Sequence, residues 1–174
     1  VTTLGDVIEF YGSVVLGSGL SALIDTTNSG GSAGNDIIFH NSVNGIAGGS
    51  AEDLTLKAGT GNILFEAAVG AGASLGAFLI SSAANLTFNS TVSSAVLTQT
   101  TGSGTTTIQG AVTTTGNVNL KNNAIAFSGA GSINANAGAN NVTLTALTGN
   151  IAGPSNLVKA SALNAVAVTG IDLD

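Results

Sequence analysis

The chain has no cysteine, no methionine and no tryptophan, a single proline (Pro154) and a single tyrosine (Tyr11), and its three basic residues are all lysines: Lys57, Lys121 and Lys159. Each absence removes a class of protein. Without cysteine there is no disulfide framework, and the one histidine, His40, cannot supply the four ligands of a structural zinc site. A surface position is expected for it. With three cations and a formal net charge of −6, the chain cannot neutralise a run of phosphates, which excludes nucleic acid and anionic membrane surfaces as partners. No apolar run approaches the roughly 18 residues that cross a bilayer, so the chain is not read as integral to a membrane. Charged residues make up only 7% of it, and the exposed faces of long helices need Glu, Lys, Arg and Gln. Long helices are therefore not expected. A sequence that opens on Val1 is read as a processed product or an excerpt of a longer chain.

What is present is glycine, 25 residues of it, among Thr, Asn, Ser, Ala and Val, with a hydrophobic fraction of 44%. That fraction is arranged in ladders, which argues against a disordered low-complexity chain. In the stretch Gly61-Asn62-Ile63-Leu64-Phe65-Glu66-Ala67-Ala68-Val69, a large apolar residue precedes a valine by four. The same spacing occurs in Phe10/Val14, Phe39/Val43, Phe88/Val92 and Ile108/Val112. A degraded copy carries Phe127, with Gly131 in the valine place and Ile133 as its substitute. The steps between the large residues are 29, 26, 23, 20 and 19.

A second ladder reads Leu54/Leu56, Phe78/Ile80, Val96/Thr98, Val118/Leu120, Val142/Leu144 and Val166/Val168, each pair flanking one outward residue. Period-two alternation is the strand signal, and recurrence at 20 to 50 residues signals stacked units that cannot bury their faces alone. The expected fold is all-β: a parallel β-helix, or β-solenoid, of roughly seven coils of about 19 to 29 residues. Residues 1–174 form one solenoid domain in this reading, with 1–27 a partial N-terminal cap coil and 28–174 regular coils. The core ladder is Phe10, Phe39, Phe65, Phe88, Ile108 and Phe127. Turn formers at 25–36, 44–50 and 70–76 read as loops on one side.

The near-twenty-residue repeats, with Gly-Asn-Ile-Leu-Phe at 61–65, Ala-Asn-Leu-Thr-Phe at 84–88 and Gly-Asn-Val-Asn-Leu at 116–120, resemble the repeat shafts of secreted bacterial adhesins of the filamentous-haemagglutinin-like and autotransporter class. The resemblance covers residues 5 to about 170 and is one of fold. It implies a right-handed solenoid, export, and a place at the bacterial cell surface as shaft or adhesive filament. It carries over no catalytic residues.

The chemistry-bearing residues are few. Glycoside hydrolysis takes two carboxyl groups across the bond, and the acids here sit mainly where Asp caps turns. No enzymatic activity and no cofactor is expected. Gly31 to Ile38 partly matches a calcium-binding nonapeptide but departs at Ser32 and has no tandem copy, which leaves Asp36 as a weak calcium candidate against a plain glycine-rich turn. Outward-facing Ile38, Leu64, Leu79 and Leu97 would form an apolar stripe, read as a lateral contact or as shielded by the early loops. The functional expectation is an extracellular structural protein whose partner is itself, by head-to-tail stacking, or the flanking coils of a longer chain. Host or cell-surface glycans are further candidate partners. The alternative is a carbohydrate-binding or polysaccharide-degrading β-helix, for which one tyrosine and no tryptophan supply little stacking surface.

Overall fold

A computed structural model describes residues 1–47, 52–135, 140–154 and 157–173. The described chain is a parallel β-solenoid with no α-helix; its one helical piece is a single 3-10 turn at Asn28–Gly30. Every strand pair is parallel. Three faces wind around one apolar interior.

The first face is an eight-stranded sheet in the order β1 (Ile8–Phe10), β4 (Ile37–Phe39), β7 (Ile63–Phe65), β9 (Leu86–Phe88), β11 (Thr105–Ile108), β14 (Ala124–Phe127), β17 (Asn150–Ala152) and β20 (Gly170–Asp172). Its register places Phe10, Phe39, Phe65, Phe88, Ile108 and Phe127 one above another. The ring pairs Phe10–Phe39, Phe39–Phe65 and Phe65–Phe88 stack with centroids 4.9, 4.7 and 5.3 Å apart. That is close to the strand spacing itself, so the sheet ladder and the ring stack reinforce each other. Phe78 meets Phe65 edge-on at 5.6 Å and Phe88 at 6.0 Å, which ties this stack to the opposite wall.

The second face carries β2 (Val14–Val15), β5 (Val43–Asn44), β12 (Ala111–Thr114), β15 (Ser132–Ala135) and β18 (Val158–Lys159). Its inward column runs Val14, Val43, Val69, Val92, Val112, Ile133 and Val158. Ile133 thus takes the position that Gly131 cannot fill. The third face carries β3 (Ser21–Asp25), β6 (Asp53–Lys57), β8 (Leu75–Ser82), β13 (Val118–Asn122), β16 (Asn141–Ala146) and β19 (Ala162–Ala167). One strand, β10 (Val92–Gln99), serves both faces: Val92 to Ser94 pair with β12, and Leu97 and Thr98 pair with β13.

Two members of the second ladder are corrected here. On β10 the inward pair is Leu97/Gln99, in register with Phe78/Ile80, while Val96 is exposed. On β19 the positions opposite Val142 and Leu144 are Leu163 and Ala165, and Val166 stands opposite the outward Thr145. The interior is also not wholly apolar. Gln99, Thr106 and Asn122 are buried together, Thr106 donating its hydroxyl to Gln99 Oε1 and Asn122 Nδ2 donating to Thr106 Oγ1 at 3.1 Å. Asn122 Oδ1 accepts the amides of Gly104 and Asn123 at 3.0 and 2.8 Å. The Asn122 amide costs little when so paired, whereas Gln99 Nε2 is buried without a partner. Coils approach closely enough at the corners that a β-carbon on Gly61 would collide with the backbone of Asn35, so only glycine fits there.

Candidate functional site

The outward side of the first face bears an open groove of about 390 Å³ that crosses four coils. Alternation builds it: the residues between the inward ones on β4, β7, β9 and β11 are Ile38, Leu64, Thr87 and Thr107, and they are Cα partners in sequence. This column turns from aliphatic to hydroxyl along its length. Beside it, at the corner that enters the face, runs a polar rail of Asp36, Asn62, Asn85 and Thr105.

The rail is made by side chains that bond from one coil to the next. Asp36 Oδ1 accepts from Asn62 N and Nδ2 at 2.7 and 3.1 Å. Asn62 Oδ1 accepts from Asn85 Nδ2 at 2.8 Å, and Asn85 Oδ1 accepts from Thr105 N at 2.8 Å. Each carboxylate or amide therefore satisfies a donor of the next coil. The groove presents amide and hydroxyl groups over an aliphatic floor, has no cation among its lining residues, and contains one acid.

The residues singled out from the sequence fall in different places. Ile38 and Leu64 line the groove, each partly exposed; Leu79 lies outward on the third face; Leu97 does not face outward at all but is fully buried in the interior. The four do not make one stripe. Asp36, the weak calcium candidate, spends Oδ1 on Asn62, and among the described residues no group of three or more His, Asp or Glu side chains is placed to hold a metal ion. Part of the 44–50 loop lies outside the described residues.

Within the 25–36 loop the organising residue is Asp25, which ends β3 and is buried. Its Oδ1 accepts from the amide and hydroxyl of Thr27 at 2.6 and 2.7 Å, and its Oδ2 from the amide of Ser29 at 3.0 Å. Burial pushes the carboxyl up, but those donors and the charge of Lys57 outweigh it and hold Asp25 below the ordinary aspartate value. The bonds fix a turn in which Asn28 and Ser29 both take positive φ.

One cluster has no counterpart in the sequence reading. Tyr11, His40 and Glu66 each follow a ladder phenylalanine, and with Glu9 they meet on the outside of the first three coils. The signal was in the register: residues one place after Phe10, Phe39 and Phe65 must stack if the phenylalanines do. Comparison of this chain with protein-family models, with curated proteins and with solved structures gave no match.

Proposed function

We propose that this solenoid is a structural segment of an extracellular bacterial protein, a shaft or filament-forming stretch of a surface adhesin that acts by coil stacking and catalyses no reaction. The observation that carries this reading is the state of the terminal coils. Leu163 and Ile171 occupy inward register positions opposite Val142 and Ile151, yet they are 44% and 49% exposed. Exposed large apolar residues gather at the two ends: Val1 to Leu23 at one, Leu147 to Ile171 at the other. Between Ile46 and Leu147 the described residues expose only Val96. Edge strands offer unpaired backbone groups, and a further β-coil in the same parallel register would pair those groups and cover the apolar residues together. A longer chain could supply such a coil, as could a second copy stacked head to tail, a contact that does not close and so yields filaments.

Negative-stain electron microscopy across a concentration series tests the stacking. Wild-type chain is expected to form end-to-end rods or fibres, and the double variant Leu163→Ser/Ile171→Ser to remain as discrete particles. Identical behaviour of the two proteins would overturn head-to-tail stacking of copies and leave only the shaft of a longer chain.

A second reading, carbohydrate binding, draws on the groove, whose hydroxyl and amide rail suits a neutral polyhydroxylated ligand. Cleavage is not part of it, because hydrolysis takes two carboxyl groups and the groove lining supplies only Asp36. Retention of glycans by wild-type protein and its loss in Asn85→Ala/Thr87→Val would favour this reading over the first.

A further inference from the structure

Glu9 and Tyr11 on the first coil, His40 on the second and Glu66 on the third form one contact set on the outside of the solenoid. The His40 ring lies against that of Tyr11, centroids 4.6 Å apart and planes 16° from parallel. His40 Nδ1 is 2.9 Å from Glu66 Oε2. An ionised carboxylate only accepts, so in neutral imidazole this contact assigns the single proton to Nδ1. Nε2 is then a bare acceptor. It is out of contact with solvent, has no hydrogen-bond partner, and faces Glu9 Oε1 at 3.8 Å, acceptor against acceptor. The other oxygen of that carboxylate, Oε2, accepts the Tyr11 hydroxyl at 2.7 Å, which holds Glu9 in place.

We propose that His40 is a proton-operated clamp: a proton added at Nε2 converts the unpaired acceptor into a donor to Glu9 and ties the first coil to the second, which Nδ1 already ties to the third. Histidine side chains change charge between about pH 8 and pH 5, whereas carboxylates as a class do so nearer pH 4. Glu9 and Glu66 are the acidic groups that face His40. The Tyr11 phenol is held above the ordinary tyrosine value by its hydrogen bond to Glu9, then by the Glu9 charge, and least by burial. It stays a donor throughout. Among the described residues neither glutamate pairs with a lysine, so no other cation competes for the position. Without the clamp, β1 is held to β4 over only three register pairs, and the solenoid edge it forms is freer to open.

Because Tyr11 is the sole tyrosine and tryptophan is absent, intrinsic fluorescence reports on this cluster alone. Titrating the full chain from pH 8 to pH 5 is expected to give one reversible step in tyrosine emission, absent in His40→Gln and reduced in Glu9→Gln. Amide exchange of residues 8–10, corrected for its intrinsic pH dependence, should slow roughly two- to fivefold at the acid end in wild type, the size of a partly exposed ion pair, and not in His40→Gln. Circular dichroism of each variant checks that the β fold is kept. A flat wild-type titration, a step that survives in His40→Gln, or a step without added protection would each overturn the clamp.

Discussion

The coils before residue 92 and those after it share one register but fill their interiors with different chemistry. In the earlier coils Phe39, Phe65, Phe78 and Phe88 are all buried and pack ring on ring. In the later ones Leu97 and Ile108 stand opposite Phe78 and Phe88, and Gln99 and Thr106, opposite Ile80 and Leu86, are joined with Asn122 by hydrogen bonds. Charge divides at nearly the same place. Residues 1–66 contain seven of the nine acids and one of the three lysines, a net of −6, and residues 67–174 contain two acids and two lysines, a net of zero. The fold tolerates both fillings because its register is set by backbone ladders, which are the same in each. What the filling changes is how stability fails: a missing ring leaves a cavity, a missing polar partner leaves an unpaired group.

The largest effect expected from breaking this contrast is on the aromatic side. Phe65 is stacked on both neighbours and touches Phe78 edge-on, so Phe65→Ala should cost about 3–5 kcal/mol. Thermal unfolding followed by circular dichroism reads this as a lowered Tm. A loss below about 1 kcal/mol, well under the range for a buried phenylalanine, would show that the ring stack is not what holds the early coils.

Next comes the polar node. Thr106→Val keeps the shape but removes the hydroxyl shared by Gln99 and Asn122. It should cost about 1–3 kcal/mol, the penalty for leaving buried groups unpaired. Replacing all three together by Gln99→Leu, Thr106→Val and Asn122→Leu should cost less than the sum of the single changes, because the three side chains no longer leave one another unpaired and only the Asn123 amide loses its acceptor. Strict additivity would mean that the node acts as three independent side chains.

How far the sequence disclosed this structure depends on the face. The first and second faces were legible because large apolar residues alternate with polar ones on short strands, so the phase of the alternation is unambiguous at Phe39/Val43 or Phe65/Val69. The third face was misread at residues 96 and 98 because β10 bends from one face into another. Its inward residues run 92 and 94, then 97 and 99, with Ala95 and Val96 both turned away from the interior. A strict period of two carries the first pair into the wrong phase. At the C-terminal end, Val166 and Val168 form an apolar pair at the right spacing, yet the register selects Leu163 and Ala165. The string Thr-Gly-Asn marks turns rather than register. At 60–62 and 148–150 it enters the first face, but at 115–117 it enters the third. The groove was legible in its members, since alternation alone puts Asn62/Leu64, Asn85/Thr87 and Thr105/Thr107 outward. In the His40 cluster the register of the phenylalanines brings Tyr11, His40 and Glu66 into line, but the approach of Glu9 from within β1 requires side-chain directions that alternation does not give.

The smallest effect sharpens the contrast in charge. Asp25 sits in the acidic part of the chain, directly opposite Lys57 in register, and accepts three hydrogen bonds that shape the following turn. Asn in its place keeps one acceptor oxygen and loses the charge, so Asp25→Asn should cost about 1 kcal/mol, the difference between charged and neutral hydrogen bonds. The folded carboxyl is held below its ordinary value. A group depressed in this way stabilises the fold fully above its unfolded value, near 4, and that contribution is lost as pH falls through the folded one. The stability gap between wild type and Asp25→Asn, measured by denaturant titration, should therefore be flat from about pH 7 to pH 5 and close below about pH 4. A gap that widened in acid would reverse the sign: burial would then outweigh the Thr27 and Ser29 donors, and Asp25 would be a cost that the early coils carry rather than a support.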